Sequence, residues 1–201
     1  YEELSPLTGE FFNTMINQEL MDLSTKPGKR GGGYMTFLPD YKVPFIFSNF
    51  NGTSGDVDVL THEAGHAFQG YVNRNVEFSD QIDYTMEVAE IHSMSMEFFT
   101  HPWMQKFFGK DTEKYYYSHV VSCIHFLPYG ASIDEFQEWV YLHVDATPAE
   151  RRAQYREIER KYLPHLEYDD CEYLQGGGRW QRQMHVYFAP FYYLDYTLSQ
   201  V

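Results

Sequence analysis

The sequence predicts a mainly α fold with a small β-hairpin close to one central helix. Three observations lead there. Apolar residues recur at helical spacing through most of the chain. Two short β-rich runs bounded by Gly and Pro turn signals fall between residues 34 and 50. Helix start and stop residues punctuate the remainder. The 201 residues suit one domain, and a hydrophobic content of 43% is ample for a core.

Phe11, Phe12, Met15, Ile16 and Leu20 fall near helical spacing and predict a first helix within Glu2–Leu23, entered at Ser5-Pro6. Lys26-Pro27-Gly28 and the triplet Gly31-Gly32-Gly33 break it. These glycines do not make a phosphate loop, because G-x-x-x-x-G-K-[ST] is absent. They predict a flexible turn feeding a strand, Tyr34–Leu38. Pro39-Asp40 turns the chain into a second strand, Val43–Phe50, and the pair reads as a hairpin. An exposed edge of it could pair with an extended peptide backbone, or the hairpin could be purely structural.

A helix follows over Asp58–Tyr71. Asn73, Asn75 and Asp80 mark a polar linker, and a second helical segment runs from about Gln81 to Phe99. His101-Pro102 is a break. Asp111 is placed to cap a helix over Thr112–Ile124, and Ser132 to cap another over Ile133–Val144. Thr147-Pro148-Ala149-Glu150 joins a cap, a Pro at the first helical position and an acid in the first turn, predicting a helix to about Tyr162. Its Arg151, Arg152, Arg156, Arg160 and Lys161 interleave with Glu150, Glu157 and Glu159, which reads as a solvated, salt-bridged face. Gln175-Gly176-Gly177-Gly178 predicts a loop able to flex around a ligand. A last helical pattern covers Phe191–Gln200.

Charge narrows the partners. Fifteen Lys plus Arg stand against 29 Asp plus Glu, a formal net charge of -14, which would repel a phosphate backbone and argues against nucleic acid. No run approaches the ~20 apolar residues of a membrane span. Cys123 and Cys171 are too few for a disulfide framework and predict free thiols in a reducing, cytoplasmic setting. The chain begins at Tyr1 without Met and stops at Val201 inside a helical pattern, so it is expected to be a piece of a longer protein, truncated at both ends. His119, His125, His143 and His165 are scattered without ligand spacing.

The chemistry concentrates in His62-Glu63-Ala64-Gly65-His66, an H-E-x-x-H inside the predicted helix. Residues four apart on a helix lie one above the other, so both imidazoles can aim at one point. That suits two corners of a tetrahedral zinc site, at roughly 2.0–2.1 Å per nitrogen. Glu63 lies roughly 100° around the helix, where a carboxylate can act as general base on a water without becoming a ligand. A third protein ligand is required. The extended form with a third histidine would need Gly at 69 and His at 72, but Gln69 and Val72 stand there. The alternative is a carboxylate from the next helix, and Glu87, Glu90, His92 and Glu97 are the candidates. Glu90 is taken as the ligand. Glu97 reads equally as a surface acid or as acceptor of a ligand imidazole's second N–H. Glu87 reads as a solvated acid and His92 as a partly buried structural residue.

The run Gly52-Thr53-Ser54-Gly55-Asp56-Val57-Asp58-Val59-Leu60-Thr61-His62-Glu63-Ala64-Gly65-His66-Ala67 resembles the oligoendopeptidase F and thimet-oligopeptidase family of zinc peptidases. So do Pro44–Thr53, Val88-Ala89-Glu90-Ile91 and the ending His185–Tyr196. The resemblance spans the chain from about Lys29 onward. It implies a zincin-like metallopeptidase catalytic domain, one zinc ion held by His62, His66 and Glu90, and Glu63 as base. It further implies that His185 and Tyr192 hold the substrate and its developing oxyanion. The tyrosine is the looser assignment, since Tyr187, Tyr193 and Tyr196 lie nearby, with Tyr196 in reserve. Short peptides cut at internal bonds are the implied substrates, with the rest of a longer chain completing the channel. A zinc aminopeptidase on the same ligands, or a zinc-binding fragment inactive alone, are the other readings.

Overall fold

A computed structural model of the chain describes residues 1–78, 81 and 84–201. Asp80 and residues 82 and 83 of the segment expected to be helical from about Gln81 lie outside them, and the described helix begins at Met86. The described residues are mainly helical with one small sheet, as the sequence predicts. They form two compact units, Tyr1–Tyr116 and Tyr117–Val201.

In the first unit, helix α1 covers Pro6–Asn17, and the Ser5 side chain accepts the Thr8 N–H with Pro6 opening the first turn. It stops before the expected Leu23, because the chain bends at Glu19, where φ is +54°, into a two-residue strand β1, Met21–Asp22. Two residues carry no detectable period, so β1 is invisible in the sequence. β2 is Gly33–Leu38 and β3 is Val43–Ser48. They pair antiparallel with Met35 opposite Ile46, and β1 adds parallel to the other side of β3. β2 therefore lies at a sheet edge. Lys42, at φ +55°, closes the hairpin.

Helix α2, Gly55–Val72, follows a loop pinned by Asp56, whose carboxylate accepts the N–H groups of Asn51 and Gly52 at 2.7–3.1 Å. Phe11, Met15 and Ile46 pack with Ala64, Ala67 and Tyr71 as the core between sheet and helix. Phe11 is fully buried, a contribution of roughly 1.5–3 kcal/mol for such a side chain. Helix α3, Met86–Phe99, packs along α2, and the short α4 is Gln105–Phe108. Asp111 ends a 3-10 turn, and its carboxylate accepts from Lys114 Nζ at 2.7 Å.

Helix α5 is a single 31-residue element, Thr112–Leu142, where two helices were expected. Pro128 sits inside it without ending it. Ser132 does not cap; it is fully buried, and its hydroxyl donates to the Tyr129 carbonyl at 2.7 Å. A buried hydroxyl needs an acceptor, and the preceding turn supplies one. In the second unit α6, Pro148–Tyr162, starts with the predicted capping box at Thr147 and Glu150. Three short helices follow: α7, Glu172–Gln175; α8, His185–Phe188; and α9, Tyr193–Ser199. Ile133, Phe136, Tyr155, Ile158, Trp180 and Tyr193 form this unit's core.

Two expectations about the second unit change. The charged face of α6 is not uniformly solvated: Glu159 is fully buried and accepts from Arg156 Nη1 at 2.7 Å and from the Tyr168 hydroxyl at 2.5 Å. The glycine loop is packed. Gly177 is buried at φ +84°, and a Cβ there would run into the Arg152 carbonyl of α6. Its glycines serve close approach and a left-handed turn.

Candidate metal centre

His62 and His66 project from one face of α2, their rings 5.1 Å apart and nearly perpendicular. Facing them is Glu90 of α3, whose Oε2 lies 3.1 Å from His62 Nε2 and 3.5 Å from His66 Nε2. These are the residues among those described whose donor atoms converge as a metal-holding group, all within 4.8 Å of one another. Two imidazole nitrogens and one carboxylate oxygen form a donor set of the kind that suits zinc in three-ligand sites. Glu90 is fully buried, which fits a charge meant to be compensated at close range.

Gly65 explains how α3 comes close enough. A Cβ at that position would lie 2.5 Å from the His92 carbonyl oxygen and 2.6 Å from Ser93 Cα. The two helices touch backbone to backbone there, one residue before His66. Ser93, one turn beyond Glu90 and fully buried, donates its hydroxyl to Glu90 Oε2 at 2.8 Å. Glu97, two turns beyond Glu90, lies with Oε1 2.7 Å from His62 Nδ1. Of the two readings of Glu97, the geometry favours the imidazole partner. His92 is not among the converging donors; it borders an apolar cavity of about 590 Å³ with Phe68, Val72, Ile91 and Met96, and its ring packs edge-on against Tyr84 at 5.6 Å. Glu87 is half-buried on the first turn of α3 and is not among the converging donors.

The electrostatics follow from this packing. Burial would lower the pKa of His62, but hydrogen bonds to Glu90 and Glu97 outweigh it and push the imidazole up to about 10. Burial would raise Glu90, yet the two histidines hold it well below the usual carboxylate range. Glu63 behaves oppositely. It is 7% exposed, and burial raises its carboxyl above the ordinary range against the lowering pull of His62, His66 and a hydrogen bond from the Met35 backbone N–H of β2. A carboxylate so placed is a stronger base than one in water.

His185 and Tyr192 lie in the second unit. Tyr192 precedes α9, and its ring stacks on that of His185, with centroids 5.6 Å apart and planes 15° from parallel. Tyr196 Oη is 3.4 Å from His185 Nε2. Tyr193 is buried in the core, and Tyr187 stacks on Trp180. The turn before Tyr192 is strained, with Phe191 at φ +64° and its N–H held by Gln137 Oε1 at 3.0 Å.

Sequence reasoning missed Gly65, Ser93, the Met35 N–H, Gln137 and Gln183. Ser93 had a usable signal, its i+3 spacing from Glu90. Gly65 had a weaker one, a small residue between two ligands. The Met35 N–H and Gln137 act through contacts distant in sequence, and Gln183 stands two residues before His185 with its amide nitrogen 2.7 Å from Nδ1, a spacing that fixes no direction in a turn.

The sequence model of peptidase family M3 matches residues 6–200. Oligoendopeptidase F (chromosomal) of Lactococcus lactis subsp. cremoris is 29% identical over 100 residues, 48% of this chain and 16% of that protein. Among solved structures, PZ peptidase A with inhibitor 2 superposes with a TM-score of 0.97 at 60% identity, over 100% of this chain and 36% of that one. A Bacillus anthracis str. Ames protein provisionally named oligoendopeptidase F gives a TM-score of 0.86 at 54% identity, over 100% of this chain and 32% of its own. This chain thus spans about a third of those solved chains and a smaller share of the curated relative.

Proposed function

Because this chain belongs to peptidase family M3, we propose that it is the catalytic domain of a zinc endopeptidase that hydrolyses internal bonds of short peptides. The observation that carries the reading is the convergence of His62, His66 and Glu90 with Glu63 beside them on the same helix. His62, His66 and Glu90 would hold one zinc ion. Bound there, zinc would supply Lewis-acid polarisation of a carbonyl and of water.

The residues of the chain do the rest. Glu97 accepts the His62 Nδ1 proton, which leaves Nε2 as the nitrogen that would hold the ion. Glu63 takes a proton from the attacking water and returns it to the leaving amine nitrogen. The open edge of β2 pairs with an extended substrate backbone, which explains affinity without demanding particular side chains. His185 and Tyr192 are assigned as hydrogen-bond donors to the developing oxyanion, on the strength of the resemblance at the chain's end. The two units are read as one catalytic domain, with the remaining length seen in the relatives contributing substrate contacts. The reducing, cytoplasmic location is read from the cysteine count, two being too few for a disulfide framework. The alternative, a zinc-binding span inactive alone, is favoured by the share of the relatives that this chain covers.

Metal analysis and a quenched fluorescent peptide assay test this on the chain and on its full-length parent. Zinc at one per chain is expected in the wild type and in Glu63→Gln, with turnover lost only in the variant. Loss of zinc in Glu63→Gln would mean that base and ligand are misassigned. Activity retained by Glu90→Ala would overturn the ligand set. Metal in both proteins with turnover only in the full-length one would favour the alternative for the isolated span.

A further inference from the structure

We propose that Gln183 is a positioning residue whose side-chain amide holds His185 as the neutral imidazole with its proton on Nε2. The proposal rests on the reading of His185 as a donor to substrate. Gln183 Nε2 lies 2.7 Å from His185 Nδ1. An amide nitrogen can only donate, so Nδ1 must accept, and a neutral ring then carries its hydrogen on Nε2. On the other side of the amide, the Tyr129 hydroxyl donates to Gln183 Oε1 at 3.2 Å. Tyr129, Gln183 and His185 therefore form a directional chain in which each group donates to the next.

The support behind this chain is rigid. The Gln183 backbone N–H bonds the carbonyl of Trp180, which is buried against Phe136. Tyr129 lies under the Arg179 guanidinium, 5.0 Å from its ring centroid. His185 is held in plane by the stacked Tyr192 ring, and its Nε2 faces Tyr196 Oη at 3.4 Å. Ring orientation and tautomer are thus set by different neighbours.

The choice of glutamine over glutamate has a chemical reason. A carboxylate at this position would demand a proton on Nδ1, leaving a neutral ring bare at Nε2 or making it a cation. Either state changes what Nε2 offers a carbonyl oxygen on its way to an oxyanion. An amide donor fixes Nε2–H without adding charge.

The test uses the full-length, zinc-loaded protein with ring-15N histidine, and the His185→Asn spectrum identifies the His185 signals. The wild type is expected to show a protonated Nε2 and a bare Nδ1. Gln183→Glu should move the proton to Nδ1 or protonate both nitrogens, and Gln183→Met, of similar shape without the donor, should give a tautomer mixture. Both variants should lower kcat by roughly 10- to 100-fold with KM little changed, short of the loss of an oxyanion donor itself. Wild-type protein protonated at Nδ1 overturns the proposal, as does an unchanged His185 signal in both variants. The wild-type spectrum needs no variant to fold and no turnover. Absence of peptidase activity would therefore sink the enzymatic reading and leave the tautomer result to decide this one.

Discussion

In the first unit, two long helices carry every candidate ligand, whereas in the second the candidate donors sit on a four-residue helix and at the entrance to a seven-residue one. The difference lies in what fixes each side chain. His62, His66 and Glu90 are placed by helix geometry and by one backbone contact at Gly65, with Ser93 and Glu97 as supports on the same α3. His185 and Tyr192 are placed by side chains from elsewhere: Gln183, Tyr129 and Gln137. A centre built on regular helices depends on where the backbones lie, and one built on turns depends on the side chains that brace it. Perturbations of the candidate ligands and their supports in the first unit should therefore act on metal affinity, and those of the candidate donors in the second on turnover.

The largest separation of the two is expected from Tyr192→Phe. If the phenol is an oxyanion donor, its loss should raise the barrier by about 2.7–4 kcal/mol, seen as a fall in kcat with zinc still bound. Metal content by mass spectrometry and kcat from progress curves measure both sides. An unchanged kcat would transfer the role to Tyr196, whose hydroxyl already lies beside His185 Nε2.

Gly65→Ala attacks the first unit in kind. The new methyl would meet main-chain atoms of His92 and Ser93, which cannot rotate away, so α3 must shift. Overpacking of this sort costs roughly 1–3 kcal/mol. Because Glu90 rides on the displaced helix, zinc affinity should fall together with stability. Gly177→Ala makes the matching insult in the second unit, against the Arg152 carbonyl and with φ at +84°. It should destabilise without changing zinc affinity. Equal loss of metal from both variants, measured by chelator competition, would abolish the distinction between the units.

The same contrast explains what was legible in the sequence. H-E-x-x-H and Glu90 could be read because helix periodicity turns spacing into direction, and the structure brings those side chains together. The hairpin and the capping box of α6 were legible for similar reasons, each resting on neighbours within a few residues. Ser132 misled because a capping residue and a buried back-bonded serine look alike in sequence; only the core around Ile133 and Phe136 distinguishes them. Glu159 misled because its burial depends on Tyr168 and Arg179, beyond the helix that carries it. Gln137 was unreadable because its partner lies 54 residues away, and Gln183 because two-residue spacing fixes no direction outside a helix or strand and its second partner, Tyr129, is also 54 residues away.

Glu97→Gln sharpens the first-unit side at smaller scale. Replacing an outer carboxylate on a ligand histidine typically costs about 10–100-fold in metal affinity or activity. The expected result here is weaker zinc binding by competition titration, with the fold intact by circular dichroism. Unchanged affinity would return Glu97 to the surface-acid reading, despite its 2.7 Å approach to His62 Nδ1.

The smallest effect should come from the start of α6, which touches neither cluster's donors. Thr147 Oγ1 accepts the Glu150 N–H at 3.3 Å, while Glu150 Oε2 accepts the Thr147 N–H at 2.8 Å and its hydroxyl at 2.7 Å. Thr147→Ala should lower stability by about 1 kcal/mol, read from urea melts, with zinc content and kcat unchanged. The box also carries a pH signature. The hydrogen bonds from Thr147 hold the Glu150 carboxyl below its ordinary range in the folded chain. A carboxyl depressed by folding stabilises above its unfolded pKa of ~4.3, and that contribution is lost as pH falls through the folded value. The stability difference between wild type and Glu150→Gln should accordingly be present at neutral pH and shrink in acid. A difference that stays constant from neutral pH into acid would mean that the carboxylate charge contributes nothing, and that Thr147 alone sets where α6 begins.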